Sequence, residues 1–369
     1  MNENQPLLLI GVGTAGSAIA SGVGRAFGGG LRYVLADTDA SSGASGEPFI
    51  LLGGDRLSGH GTGGDPAQAR LAAEDSLASF DAHLEGVRLA VIAAGLGGGT
   101  GAGATVAICR HLKEAGIPSL VFATMPFSFQ GDDCMSRAAG MTTSISEEAS
   151  AAIFLPLDKL VAGTDNMDEA MRRAIGAMAS GITLFWRMLA KPGYIRLDVE
   201  RMRRIIGMAG NGRFATVTEQ GPDRAAKALD ALKRSSLLAE GAGPVKSIVC
   251  GILAGEDLRL SEVGAIADGI RSAFGERASF DIATVNDEAT FTGRLSVAVM
   301  LFESGPAEDK PFSEPAEGSR RGSRRRSAAN PLAPGPQGRG RFNNVEPTIW
   351  RGEDLDTPTF LRRNVSLDI

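Results

Sequence analysis

Two glycine-rich segments hold the residues of this sequence best suited to chemistry. Gly11-Val12-Gly13-Thr14-Ala15-Gly16 follows the apolar run Leu7-Leu8-Leu9-Ile10 and leads into a helical stretch. Small residues at such a junction let backbone N–H groups and a helix N-terminus face an anion. Alone, this pattern fits a dinucleotide site equally well, and Asp37, at the end of the next apolar run and about 20 residues on, is placed like a ribose-binding acid. Gly97-Gly98-Gly99-Thr100-Gly101-Ala102-Gly103 follows a second apolar run, Leu89 to Ala94, and opens another helix. A dinucleotide fold does not require a second loop of this kind there. A tight turn accounts for one or two of these glycines, whereas a row of N–H groups facing a polyphosphate accounts for the series.

Such loops need a rigid frame. From residue 7 to about 155, short apolar runs (RYVLA, PFILL, RLAVIAAG, SLVFATM) alternate with helical stretches, the pattern of a mostly parallel sheet with helices on both faces. The fold class expected is α/β: a Rossmann-like parallel-sheet nucleotide domain over 1–164, then a long central helix and its following loop over 165–195. Lys191-Pro192-Gly193 ends that helix by removing an amide donor and freeing the backbone. A smaller α/β C-terminal domain is expected over 196–304, with strands at RFATVTE, VKSIVCGILAG, ASFDIATV and LSVAVMLF and a helix in which Ala225, Leu229 and Leu232 recur at helical spacing. After Ser304, Pro, Gly, Ser and Arg take over, including Arg320, Arg321, Arg324, Arg325 and Arg326. That composition cannot bury enough apolar area to offset its ordering entropy, so 305–342 is expected to be a disordered linker. Apolar and aromatic residues return over 343–369 as a partner-docking peptide.

The 369 residues allow two domains plus a tail. Glycine, at 49 residues, exceeds the roughly 7% average of soluble proteins, as expected where backbone must come close to something. No apolar run is long enough to span a membrane, and MNENQPLLLIGVG reads as a first strand and not as a signal peptide, so a cytoplasmic location is expected. Cys109, Cys134 and Cys250 form no CxxC pair and make no metal-spaced cluster with His60, His83 and His111, so no metal site is expected from protein ligands. A formal net charge of −5 argues against a specific nucleic-acid partner.

GGGTGAG at 97–103 resembles the GGGTG[TS]G signature of the tubulin/FtsZ family, and the resemblance extends without large gaps across most of residues 7–304. Further similar segments are Thr38-Asp39-Ala40, GTGGDPAQAR at 61–70, MPFSFQG at 125–131, LPLDKL at 155–160, GPDRAAKA at 221–228 and AGEDLRL at 254–260. The resemblance implies a GTPase that binds GTP or GDP, with Mg2+ bound through the nucleotide. It also implies head-to-tail self-assembly into filaments and a place in the division ring. It assigns nucleotide contacts to Gly11, Gly13, Thr14, Ala15, Gly16, Ser17, Ala18, Asp39, Gly97, Gly98, Gly99, Thr100, Gly101, Ala102, Gly103, Gln130 and Cys134. Asp354-Leu355-Asp356-Thr357-Pro358-Thr359-Phe360-Leu361-Arg362-Arg363 is similar to the peptide through which family members bind membrane-tethering and regulatory proteins. Pro358 limits unfolded-state freedom, Phe360 and Leu361 suit apolar pockets, and Arg362 and Arg363 suit an acidic rim.

The sequence departs from the family pattern where hydrolysis is expected. There a loop after the central helix, N-x-D-x-x-D, reaches the next subunit's nucleotide and positions water. Here the segment is Gly193-Tyr194-Ile195-Arg196-Leu197-Asp198-Val199-Glu200-Arg201. Asp198 keeps the first acid, Arg201 replaces the second, and Glu200 is the available substitute, so the expected catalytic residues are Asp198 and Glu200. A positioned general base contributes about 10²–10⁴-fold, so slow turnover is expected. Arg196 and Arg201 are expected to bring positive charge to a neighbour's terminal phosphate. Gln130 and Cys134 replace the family's ribose-contacting Glu and Arg, and Leu157 replaces an Asn, which weakens the reading of the base. The alternative function is a polymerising pseudo-GTPase that co-assembles with or regulates another filament.

Overall fold

The computed structural model describes residues 6–27, 30–43, 46–161, 166–190, 193–239, 243–287 and 290–304, and the backbone of 349–350 and 353–354. Lys191, Pro192, the expected linker and the expected docking residues Pro358, Phe360, Leu361, Arg362 and Arg363 lie outside them.

The nucleotide half runs β1 (Leu7–Val12), α1 (Gly13–Phe27), β2 (Tyr33–Asp37), β3 (Phe49–Leu51), the one-turn α2 (Gly54–Leu57), α3 (Pro66–Glu74), the one-turn α4 (Asp81–Leu84), β4 (Leu89–Gly95), α5 (Gly99–Glu114), β5 (Ser119–Met125), α6 (Asp132–Glu148), β6 (Ala151–Pro156) and the one-turn α7 (Leu157–Leu160). There follow α8 (Met167–Ala190), α9 (Val199–Gly207), β7 (Ala209–Gln220), α10 (Arg224–Lys233), α11 (Ser236–Ala239), β8 (Val245–Ala254), α12 (Leu260–Phe274), β9 (Ser279–Asn286) and β10 (Arg294–Ser304). In the C-terminal unit, β11 (Ile349–Trp350) pairs antiparallel with β12 (Glu353–Asp354).

The strands make one sheet in the order β3-β2-β1-β4-β5-β6-β7-β10-β8-β9. Pairing is parallel except around β10, which runs antiparallel to β7 and β8. β1 reads as a continuous apolar run because both of its faces are covered. Leu7 and Leu9 enter one core with Val91, Phe122 and Ile19 of α1, while Leu8, Ile10 and Val12 enter the opposite core with Ile92 and the α5 residues Val106 and Ile108. The β6–β7 joint is the narrowest in the sheet, with register pairs only at Ala152↔Asn211 and Ile153↔Gly212.

α8 runs beneath both halves. Its Ile182, Phe185, Trp186 and Met188 share a core with Leu9 and Phe122 on one side and with Val249, Val285 and Met300 on the other. Close crossing is permitted by Gly181, where an added Cβ would overlap the ring of Phe214. The segment at 61–70 turns helical at Pro66: Asp65 accepts a hydrogen bond from Ala67 N at 2.8 Å, and Pro66 has no amide hydrogen to leave unsatisfied.

Candidate functional site

The C-terminal ends of β1, β4 and β5 open into one cleft of roughly 470 Å³, a size in the range of small-molecule sites. Gly13, at φ +71°, turns the chain from β1 into α1 in a conformation that suits glycine, and a Cβ there would lie 2.9 Å from Gly101 N. The two glycine loops are thereby brought edge to edge, and the N-termini of α1 and α5 both reach the cleft, each carrying about half a positive charge of helix dipole. The Thr38 and Thr100 hydroxyls, 2.7 Å apart, join the loop after β2 to the start of α5. Gly61 to Gly64 form a third lining segment, held by Gly61 N on Thr38 O at 3.2 Å.

Asp37 and Asp39 stand on the same wall. Asp37 is 2% exposed and accepts hydrogen bonds from Thr38 N at 2.8 Å and Thr14 Oγ1 at 3.4 Å. Asp39 caps the turn at 40–42 by accepting from Ser41 N at 2.8 Å, and the Ser41 hydrogen bonds hold its carboxyl below the ordinary range. No lysine or arginine lines the cleft among the described residues. An anion here would therefore be balanced by backbone amides, helix termini and a cation arriving with it. Among the described residues no group of three or more His, Cys, Asp or Glu is arranged to hold a metal by itself.

Of the residues proposed from sequence, Gly13, Thr14, Ala15, Asp39, Gly97, Gly98, Gly99, Thr100, Gly101 and Gln130 line this cleft. Gly11, Gly16, Ser17, Ala18, Ala102, Gly103 and Cys134 do not. Gly16 and Gly103 serve packing: a Cβ on Gly16 would overlap Ala93 O of β4, and one on Gly103 would overlap Pro66 O of α3. Ser17 is buried with no partner for its Oγ. Cys134 stands at the rim, its thiol donating to Gly97 O at 3.6 Å. The lining residues not proposed as contacts are Val12, Asp37, Thr38, His60, the segment Gly61 to Gly64, Gly95, Thr124 to Phe127, and an apolar group of Ile19, Leu157, Met171, Ala174 and Ile175, of which Leu157 is the position read above as a replaced Asn. The short similar segments at 38–40, 61–70 and 125–131 were the signal for most of them. On α8, the acid that the family pattern expects falls near Gly176, beside Ile175, whereas Met171 and Ala174 gave no signal because their helical spacing reads as ordinary core.

The expected catalytic segment is tied into its own chain. Asp198 is the N-cap of α9, accepting from Arg201 N at 2.6 Å. Glu200 receives Arg88 at 2.7 Å and Arg203 at 2.8 Å. Arg201, expected to project towards a neighbour's phosphate, instead forms a two-pronged pair with Asp281 of β9 at 2.8 and 3.0 Å, while Arg196 remains exposed. The fork geometry of guanidinium and carboxylate favours that internal pairing over solvent.

Comparison with known proteins agrees with this geometry. The Tubulin/FtsZ family GTPase domain matches residues 6–165. The chain is 28% identical over 382 residues to the cell division protein FtsZ of Pseudomonas aeruginosa, spanning 96% of this chain and 95% of that protein. It is 29% identical over 309 residues to FtsZ of Coxiella burnetii, spanning 81% of this chain and 79% of the relative. Among solved structures, an empty FtsZ dimer from M. jannaschii superposes with a TM-score of 0.74 at 22% identity, over 80% of this chain and 88% of that one. CetZ2 from Haloferax volcanii, solved as a GTPγS-bound protofilament, gives 0.67 at 21%, over 82% and 95%. The sheet order and the glycine loops converging at its strand ends are in keeping with these likenesses: residues 6–165 match a GTPase domain of the Tubulin/FtsZ family. More narrowly, the chain is similar to FtsZ along nearly its whole length.

Proposed function

We propose that the chain binds GTP and GDP in the cleft, with Mg2+ carried on the phosphates, assembles head to tail into filaments and scaffolds the division ring in the cytoplasm. It hydrolyses GTP slowly between subunits, through Asp198 and Glu200 acting on the neighbour's nucleotide. The observation that carries this reading is the convergence of two helix N-termini and three glycine-rich segments on a cleft lined without lysine or arginine. Phe129, Tyr194, Met208 and Leu260 leave large apolar side chains in solvent, which a contact between subunits would bury. The residues at 354–363 serve as the docking peptide for tether or regulatory proteins.

A second reading, the pseudo-GTPase that co-assembles with another filament, is favoured by one specific feature. The pairing of Arg201 with Asp281, and of Glu200 with Arg88 and Arg203, commits the loop's charges within the subunit. Sedimentation of the purified protein with GTP, GDP, ATP or no nucleotide, with phosphate release followed in the same tubes, separates the two. Pelleting that requires a nucleoside triphosphate, with slow release, is expected. Pelleting without release, or without a nucleotide requirement, replaces the first reading with the second.

A further inference from the structure

The cleft has two ends of opposite character. One is built from backbone amides, threonine hydroxyls and two aspartates. The other is a wall of Ile19, Leu157, Met171, Ala174 and Ile175. Met171, Ala174 and Ile175 stand at i, i+3 and i+4 on α8 and so present one face of that helix. Met171, Ala174 and Leu157 are fixed in place by packing with Phe127, Val161 and Ala170 in one apolar cluster. Gln130 also lines the cleft, beside Gly97, and its Oε1 already accepts from Phe127 N at 3.1 Å.

Granted the nucleotide reading above, the glycine loops hold the phosphates, and the base must extend towards this wall. A site rejects a wrong base strongly, by about 10⁴–10⁵-fold, when its own polar side chains hydrogen-bond the correct one and are left unpaired by the other. The wall carries no such side chain. An apolar surface gains from the face of any purine by burying it and has no group that tells a guanine edge, with its N1–H and N2–H donors, from an adenine edge. We infer that this chain recognises its ligand by the phosphates and by the shape of a purine, not by base identity, and that it takes ATP and GTP alike. The substrate class is thus a purine nucleoside triphosphate.

Equilibrium titration of the full chain with a fluorescent GTP analogue, competed by unlabelled GTP and by unlabelled ATP in Mg2+ buffer, tests this. The two dissociation constants are expected to agree within about tenfold, the discrimination typical of an apolar pocket. A larger ratio overturns the inference while nucleotide binding stands. Binding of neither nucleotide overturns the nucleotide reading itself. Ile175→Asp, which places a carboxylate where a guanine edge could donate to it, is expected to move the ratio at least tenfold towards GTP with circular dichroism unchanged. A folded Ile175→Asp with an unmoved ratio means that the wall does not face the base, and the inference falls. Leu157→Asn on α7 serves the same test if the aspartate prevents folding.

Discussion

A cysteine reacts as its thiolate, so burial sorts the cysteines of this chain. Desolvation pushes the Cys109 and Cys250 thiols up to about 12, which keeps both protonated through pH 9. Cys134 is part-exposed, with its sulfur on Gly97 O. Labelling with a maleimide at pH 8 is therefore expected to modify Cys134 alone in the native protein and all three after denaturation, read by intact mass. A bound nucleotide is expected to slow Cys134, because the loop that accepts its hydrogen bond is occupied. Arg201 is the second residue on which function turns. Arg201→Asp alone sets a carboxylate against Asp281 and is expected to cost about 1–2 kcal/mol, read as a lowered Tm. Pairing it with Asp281→Asn removes that repulsion, and turnover in the double variant then reports the acid itself. A rise of about 10²-fold or more marks an intact site held back by one residue; no rise marks a spent one. Both glycine loops could be read directly from the sequence. The division of labour among their glycines could not, because a glycine that admits a ligand and one that admits a helix against a strand, as Gly16 and Gly103 do, are the same letter.

At the scale of elements, α8 positions the apolar wall of the cleft and the shared core together. Its crossing of β7 depends on Gly181 meeting the buried ring of Phe214, which itself stands edge-on to Phe122 at 5.4 Å. Alanine would gain about 1 kcal/mol of helix propensity. Against it, a Cβ forced into a close-packed ring costs about 1–3 kcal/mol and displaces the helix. Packing wins, so Gly181→Ala is expected to lower the urea midpoint and also to weaken nucleotide binding, since Met171 to Ile175 shift with the helix. Alanine at Gly176, where an added Cβ meets nothing within 4 Å, is the control and is expected to raise the midpoint through helix propensity and to leave nucleotide binding unchanged. The order of strands and helices was largely legible, because parallel strands buried on both faces are unbroken apolar runs. α9 escaped notice: Asp198 and Glu200 drew attention as candidate acids, and the same Asp198 is the cap that starts a helix at Val199, inside the expected segment 193–201.

At the scale of the whole molecule, the proposed function assigns assembly and recruitment to separate parts of the chain. Deleting 354–369 is expected to leave sedimentation unchanged and to abolish placement at the division site, seen with a fluorescent fusion; lost sedimentation would assign the tail to assembly instead. The sheet itself carries a mechanical consequence. Nine register pairs or more join β10 to each neighbour, and six join β4 to β5, but two join β6 to β7. Under load such a sheet behaves as two stiff plates meeting at a crease, with α8 as the rod glued beneath both. In the filament proposed above, bending stress passed from subunit to subunit would gather at that crease, so its compliance would be set by a few side chains around Phe214 and Gly181 and hardly at all by the plates.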